Sequence, residues 1–309
     1  MKELSIIVPH KNSIDTLARL TNSIPWSNFL EIIIVDDHSD SEVKVALKNF
    51  CMNDDRITLL DNNTEIFSAG KARNIGLTHA KGKWILFADS DDYFLEDFCS
   101  QLKIYMHSEA EVIYFKPKIR LDKKGNGCYP MIKVFDIYQK KPSKENLLLL
   151  ALHMITPWSK MIKREHIEQN DLYFDEVKKN NDVLFSQKLA LCSDKIEVSY
   201  SPIYFYAIYP SSLTNQIDLE SFYSVVDVHA RAIKFLRTEI PRKLLLKVNP
   251  ETFYLHYRLI FEAVKNYRSL NVVRTVIKIY QKNGLINSKY LTFSMAIIGF
   301  YKKKRLFRK

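Results

Sequence analysis

The sequence predicts an α/β fold with a largely parallel central sheet, flanking helices and a helical C-terminal region. Three observations lead there. Short apolar runs alternate with helix-patterned stretches from Leu4 to Phe87, two of those runs end in clustered aspartates, and from about Ile217 onward the apolar spacing is helical. Strands covered on both faces need continuous apolar runs, and parallel neighbours need helical crossovers.

Each element has its own signal. Leu4-Ser5-Ile6-Ile7-Val8-Pro9 is a short apolar run stopped by proline, a buried strand. Ile14 to Ser23 reads as a helix, with Leu17 and Leu20 on its apolar side. Glu31-Ile32-Ile33-Ile34-Val35 is the second strand, and Asp36-Asp37-His38-Ser39-Asp40 stops it. Val43 to Phe50 is helical, Ile57 to Leu60 is a third strand, Ala69 to Ala80 a further helix, and Trp84 to Phe87 a fourth strand. Beyond it, Val112 to Phe115 and Tyr200 to Ile208 read as strands, with helices over Leu147–Leu152 and near Asp182–Leu191. In the C-terminal stretch Val225, Val228 and Ala232 share one helical spacing, and Leu255, Leu259 and Ala263 another. A boundary near Asn215 divides the chain into residues 1–215 and 216–309.

Composition narrows the function. A chain of 309 residues, 47% hydrophobic, can bury one large core or two modest ones, and 7 glycines without a low-complexity tract exclude a fibrous or disordered protein. Cys51, Cys99, Cys128 and Cys192 form no CxxC pair, which gives neither a zinc motif nor a disulfide framework and suits a reducing cytoplasm. Met1-Lys2-Glu3-Leu4 leads straight into the first strand, with no room for a signal peptide, so a cytoplasmic location is expected. The net charge of +11 is unevenly spread: residues 218–309 carry 19 Lys/Arg against 6 Asp/Glu, while the rest is near neutral. Such asymmetry marks an attachment surface for an anionic partner.

Asp89-Ser90-Asp91-Asp92 is the first candidate site. Three carboxylates within four residues repel one another unless a cation or donor hydrogens offset them. The run reads either as a divalent-cation site or as an Asp-rich turn leading into the next element, and its place just beyond a buried strand points to the cation. Asp36-Asp37-His38-Ser39-Asp40 alone reads as a strand-end turn. Arg73 suits a surface ion pair or a phosphate.

Taken in order, these pieces resemble the family 2 glycosyltransferases of the GT-A fold, a Rossmann-like architecture. The resemblance covers about residues 3–215 and rests on Ser5-Ile6-Ile7-Val8-Pro9-His10-Lys11-Asn12, Glu31 to Ser39, Ala69-Gly70-Lys71-Ala72-Arg73-Asn74-Ile75-Gly76, and Ala80 to Asp92. Pro157-Trp158-Ser159-Lys160 and Asn181-Asp182-Val183-Leu184-Phe185 look like acceptor-side segments of the bacterial surface-polysaccharide members. Tyr204-Phe205-Tyr206 with Ser211-Ser212-Leu213-Thr214 resembles their closing segment.

The resemblance implies a nucleotide-sugar-binding half over residues 1–98 and an acceptor half over 99–215. Pro9, His10 and Asn12 would line the nucleobase pocket, Asp37 would accept a hydrogen bond from the base, and Arg73 would lie near base and diphosphate. Asp91 would contact the ribose, and Asp92, with Asp89, a metal-bound diphosphate. Trp158 and Lys160 would face the acceptor, Trp158 being equally readable as an aromatic core residue. Asp182 would be the general base of an inverting transfer, or a first-turn acid of its helix. The implied cofactor is Mn²⁺ or Mg²⁺ and the expected donor a UDP-sugar. The acceptor would be a hydroxyl of a glycan or polyprenyl-linked glycan, in bacterial surface polysaccharide synthesis. The sequence departs from the family at Asn181, where Glu is usual, and at His38, where Gly is usual. Those departures leave a second class open, a nucleotide-sugar-binding protein without turnover.

The end of the sequence adds a partner. Tyr290 to Tyr301 is apolar but too short to span a bilayer, and Lys302-Lys303-Lys304-Arg305 with Arg308-Lys309 follow it. That pattern suits a segment lying on an anionic membrane surface, or an ordinary packed helix with a solvated basic end. No nucleic-acid motif accompanies the basic charge, and no nucleic acid is expected as partner.

Overall fold

The computed structural model describes residues 2–119, 129–207, 218–253 and 255–286. The closing segment Ser211–Thr214, Cys128 and the apolar and basic run from Tyr290 onward lie outside the described residues. Two compact units separate, Met1–Gln216 and Ile217–Lys309.

The first unit runs β1 (Leu4–His10), α1 (Ile14–Asn22), β2 (Leu30–Asp36), α2 (Ser41–Cys51), β3 (Ile57–Asp61), α3 (Ala69–His79), β4 (Trp84–Phe87), β5 (Tyr93–Phe94) and α4 (Phe98–Tyr105). It continues with β6 (Val112–Phe115), β7 (Lys118–Ile119), α5 (Tyr129–Lys140), α6 (Lys144–His153), β8 (Lys160–Lys163), α7 (Arg164–Gln169), α8 (Val183–Cys192), β9 (Ile196–Ser199) and β10 (Tyr204–Tyr206). Seven strands form one sheet in the order β3-β2-β1-β4-β8-β6-β9, and β5-β10-β7 form a second, small one. Every residue of β1 and β2 is buried, as their apolar runs demand. Glu31, inside β2, is tolerated because its carboxylate accepts the Ser5 hydroxyl at 2.6 Å and the Lys81 backbone N–H at 2.7 Å.

The sheet is not parallel throughout. β8 runs antiparallel to both neighbours, with Leu86 opposite Met161 and Tyr114 opposite Lys160. The other pairs of the large sheet are parallel. The reversal matters for the site: a strand running backwards begins where its neighbours end.

The second unit is helical: α9 (Leu219–Glu239), α10 (Arg242–Val248), a 3₁₀ turn over Pro250–Phe253, α11 (Leu255–Glu262), a π turn over Ala263–Tyr267, and α12 (Leu270–Lys282). The Asp218 side chain caps α9 by accepting the Ser221 N–H at 2.7 Å. Phe222, Val226, Ala230, Leu259, Val273, Val276 and Tyr280 form its core, while Arg274, Lys278 and Lys282 punctuate the other face of α12. No helix among the described residues is long and apolar enough to cross a membrane.

Candidate functional site

Three neighbouring parallel strands, β2, β1 and β4, deliver their carboxyl ends to one edge, with His10 opposite Asp36 and Ile7 opposite Phe87. The segments that follow them therefore leave the sheet side by side, the arrangement that makes a ligand crevice in α/β sheets. Because β8 is reversed, Lys160 enters the sheet at this same edge.

At the end of β2, Asp36 is buried and organises the turn. Its carboxylate accepts the Ser39 N–H at 3.1 Å and meets His10 Nδ1 at 3.4 Å. Burial alone would raise its carboxyl, but the hydrogen bonds from His10 and Ser39 outweigh that and hold it below its ordinary value. His10 Nε2 accepts the Ser13 N–H at 3.2 Å, so Nδ1 carries the ring proton and gives it to Asp36. His10 is only 1% exposed, and both its nitrogens are engaged within the fold. The expectation that it lines an open base pocket is corrected accordingly: it latches β1 to the β2 turn.

Pro9 is likewise buried within β1, opposite Val35, and can offer a pocket only its floor. Asn12 is exposed, with a left-handed φ of 54°, and its side-chain amide exchanges two hydrogen bonds with Asp40. Asp37 faces the loop after β3, where its Oδ1 accepts from Asn62 Nδ2 at 2.7 Å. His38, at φ 63°, carries the turn that glycine would otherwise serve. Its Nε2 donates to the Thr64 carbonyl at 2.9 Å, and its ring lies 3.9 Å from that of Phe67.

In the aspartate run the three carboxylates divide. Asp92 is fully buried: Oδ2 accepts the Tyr204 hydroxyl at 2.7 Å and Oδ1 the Ala207 N–H at 2.8 Å. The same Tyr204 oxygen accepts the Asp89 N–H at 2.9 Å, so one phenol ties both ends of the run to β10. Burial, with Asp89 beside it, pushes the Asp92 carboxyl up to about 8. The expectation that Asp92 holds a metal is therefore corrected, since both its oxygens are occupied by protein donors and none of its surface is open. Asp89 and Asp91 remain partly exposed. Desolvation and the neighbouring Asp89 raise the Asp91 carboxyl, and its backbone carbonyl accepts from the Arg19 guanidinium.

Arg73 joins the two sides of the crevice. Nη2 donates to Asp89 at 2.6 Å and Nη1 to Asn181 Oδ1 at 2.8 Å, and the guanidinium lies 5.3 Å over the Phe174 ring. Phe174 stacks on Phe185 at 4.0 Å and meets Phe87 edge-on at 4.9 Å, a rigid floor beneath the arginine. Asn74 fixes the Phe174 backbone through both its N–H and its carbonyl, and Lys71 pairs with Glu176 at 3.0 Å. α3 thus holds the segment that leads to Asn181 and Asp182.

Asp182, the residue just before α8, is partly exposed and makes no side-chain cap bond. Surrounding protein raises its carboxyl, Arg73 lowers it, Asp89 raises it and Lys160 lowers it, leaving it above the ordinary carboxylate value. Lys160 is completely buried, with Nζ donating to the Thr156 carbonyl at 2.7 Å and the Ser186 hydroxyl at 2.9 Å. Trp158 is 2% exposed and stacked between Tyr204 and Tyr206, with centroids 5.3 and 5.2 Å away. Neither side chain has surface to offer an acceptor. For Trp158 the core reading holds, and the acceptor contact expected of Lys160 is corrected for the same reason.

The sequence-predicted residues Asp89, Asp91, Arg73 and Asp182 do converge here. Tyr204, Phe174 and Arg19 were not predicted to support them. Tyr204 lay within a recognised segment but nothing tied it to Asp92, and Phe174 and Arg19 carry no local signal, because their roles depend on contacts across roughly a hundred residues of chain or on another element.

Comparison with known proteins adds the following. The profile of the family described as "Glycosyl transferase family 2" matches residues 5–170, more than half of the chain. Poly(ribitol-phosphate) beta-N-acetylglucosaminyltransferase TarS of Staphylococcus aureus is 29% identical over 218 residues, 67% of this chain and 36% of TarS. Glycosyltransferase GlyA of Streptococcus pneumoniae is 27% identical over 252 residues, 76% of this chain and 34% of GlyA. The chain spans about a third of the length of these relatives. The crystal structure of S. aureus TarS 1-349 in complex with UDP-GlcNAc matches with a TM-score of 0.68 at 22% identity, over 95% of this chain and 87% of that one.

Proposed function

The chain belongs to glycosyl transferase family 2 and has the GT-A fold, and from that premise we propose that it transfers a sugar, with inversion, from a UDP-sugar to a hydroxyl of a glycan or polyprenyl-linked glycan. The process served would be bacterial surface polysaccharide synthesis. The observation that carries this reading is Arg73, whose planar fork holds Asp89 with one nitrogen and the residue before Asp182 with another. An inverting transferase needs its leaving group and its nucleophile on opposite sides of one anomeric carbon. Arg73 spans the two carboxylate sites that would serve those ends.

The residues suit a divalent cation. Among the described residues no three His, Cys, Asp or Glu side chains gather as a complete protein cage. Asp89 and Asp91 supply two partly exposed carboxylates, which matches a hard cation that takes its other ligands from phosphates and water. When bound, Mn²⁺ or Mg²⁺ would neutralise charge on the departing nucleoside diphosphate. Asp37, Asn12 and the floor at Pro9 are the base-side candidates, and Asp91 is also the candidate for the ribose side of the donor. Asp182 takes the proton from the acceptor hydroxyl as that oxygen attacks.

TarS was solved with UDP-GlcNAc and with UDP, which supports a nucleotide-sugar donor for this chain. A mannosyltransferase from Pyrobaculum calidifontis, solved with GDP-Man and Mn²⁺ and matched at a TM-score of 0.58, supports a metal-assisted version of the fold. The basic end of the sequence supports a peripheral place on an anionic membrane, where a polyprenyl-linked acceptor would be presented. A panel of nucleotide sugars, assayed for nucleoside diphosphate release with and without Mn²⁺ or Mg²⁺, tests the reading. Release from a UDP-sugar that stops on chelation and in Asp91→Asn is expected. Tight donor binding with no turnover on any acceptor would overturn it.

A further inference from the structure

Lys160 is out of keeping with its surroundings. A lysine ammonium buried without a carboxylate in contact is costly, and cores ordinarily place methionine or leucine at such a position. Here the ammonium has a carbonyl, a hydroxyl and the Tyr114 ring at 5.7 Å as its neighbours. Its hydroxyl partner, Ser186, completes the first turn of α8 by donating its own N–H to the Asp182 carbonyl at 2.9 Å. The Ser186 hydroxyl in turn donates to the Ile155 carbonyl at 2.7 Å, which fixes it from the other side. The fold thus spends a buried cation on the turn that carries Asp182.

We propose that Lys160 is a positioning residue for Asp182, an ammonium fixed into the first turn of α8 that keeps the acceptor-side carboxylate ionised and oriented. Lys160 touches neither donor nor acceptor; it acts through Asp182. The charged groups acting on Asp182 are Arg73 from α3, Asp89 from the end of β4 and Lys160 from β8. Arg73 is already engaged by Asp89 and Asn181, so Lys160 supplies a second positive charge from the protein interior. The coupling is mutual. Burial pushes the Lys160 ammonium down to about 7, and Asp182 is the charge that holds it up.

The inference rests on the reading of Asp182 as the base, but it can be tested apart from turnover. The full chain, with ¹³Cγ-labelled aspartate and Asp182 assigned by its loss in Asp182→Asn, is titrated by NMR as wild type, Lys160→Met, Lys160→Arg and Ser186→Ala. The Asp182 midpoint is expected to rise in Lys160→Met, because a positive charge that acts on the carboxylate is lost. Lys160→Arg should return most of that shift, and Ser186→Ala should show part of it. Should Lys160→Met not fold, Ser186→Ala and Lys160→Arg carry the test. A midpoint unmoved in every folded variant overturns the proposal and leaves Lys160 as a strut for the Thr156 carbonyl. Where transfer is measurable, the acid limb of kcat must move with the NMR midpoint, while nucleotide affinity stays within about twofold, because opposite-charge removal acts locally. Coupling without turnover would retain this inference and overturn the enzymatic reading, so the two failures are distinct.

Discussion

In the proposed reaction Asp182 is the base, and its surroundings fix the direction of its pH dependence. Burial and Asp89 raise it, Arg73 and Lys160 oppose them, and the result lies above the ordinary carboxylate value. A base works only when ionised, so transfer should fall as pH is lowered through a midpoint above about 4, the usual aspartate range. Stability has the opposite sign. With its folded value raised, the contribution of Asp182 to stability is complete below the unfolded value and is lost as pH rises through the folded one. Asp182→Asn removes that penalty, so it is expected to unfold no earlier than wild type at neutral pH while kcat falls by about 10²–10⁴-fold, the usual worth of a general base. Near-normal transfer by a folded Asp182→Asn would assign deprotonation elsewhere. Arg73→Lys tests the other half. A lysine has no planar fork to hold Asp89 and Asn181 together, and kcat/KM is expected to fall by about tenfold or more, the scale of losing one charge-assisted hydrogen bond. At this scale the sequence singled out the residues of the candidate site better than it showed what each one touches. Asp92 reads like its neighbours because a one-dimensional pattern cannot show that Tyr204, 112 residues away, has claimed its carboxylate.

At the scale of elements, the strands and helices that build the crevice were legible because each carries its own period. The apolar runs at Leu4, Glu31, Ile57 and Trp84 appear as β1 to β4 within a residue or two of their expected bounds. What was not legible includes the two-residue strands, the helices α4, α5 and α7, the strand β9, and β8, whose four residues open with a buried lysine. Its direction depends on partners distant in sequence, β4 and β6, and no local pattern encodes that. Close packing between elements supplies a further test. A Cβ on Gly70 of α3 would lie 2.1 Å from the Asp175 carbonyl and 2.8 Å from Asn181 Cβ, so this glycine lets α3 touch the segment bearing Asn181 and Asp182. Gly70→Ala is expected to cost about 1–3 kcal/mol of unfolding free energy, as overpacking does, and to lower kcat by displacing that segment. Gly76→Ala is the control, because its Cβ would meet Ile7 Cγ2 on β1 at 2.4 Å, away from Asn181. It should destabilise by a similar amount with less effect on kcat, measured by denaturant titration beside initial rates. Equal activity losses in the two variants would show that general instability is responsible. Tyr204→Phe isolates the small sheet. It strands the Asp89 N–H and one Asp92 oxygen, and a loss of about 1–3 kcal/mol is expected for such unpaired buried groups.

For the molecule as a whole, the division of labour is written in charge. Residues 1–217 are nearly balanced, whereas 218–309 hold 19 basic against 6 acidic side chains. The proposed transfer site in the first unit does not call for that excess, and the second unit folds around an apolar core of its own. Under the proposed function that excess serves an anionic membrane, the surface on which a lipid-linked acceptor would be found. Seven of the basic residues fall within 288–309, after or around the apolar run from Tyr290 to Tyr301. At about 1 kcal/mol for each cation near an anionic bilayer, that segment alone could bring the chain down from solution. Flotation with phosphatidylglycerol-containing vesicles is the direct measurement. The full chain should float with anionic vesicles and stay behind with phosphatidylcholine alone. Deleting residues 288–309 should abolish most of the anionic-vesicle binding without changing nucleoside diphosphate release from the donor in the presence of a soluble acceptor. Salt separates the contributions: above about 0.5 M the electrostatic part is screened within a few ångströms, and whatever binding survives reports the apolar run. Undiminished flotation of the deleted chain would move the attachment onto the described helices, where Arg274, Lys278 and Lys282 of α12 are the next group to neutralise.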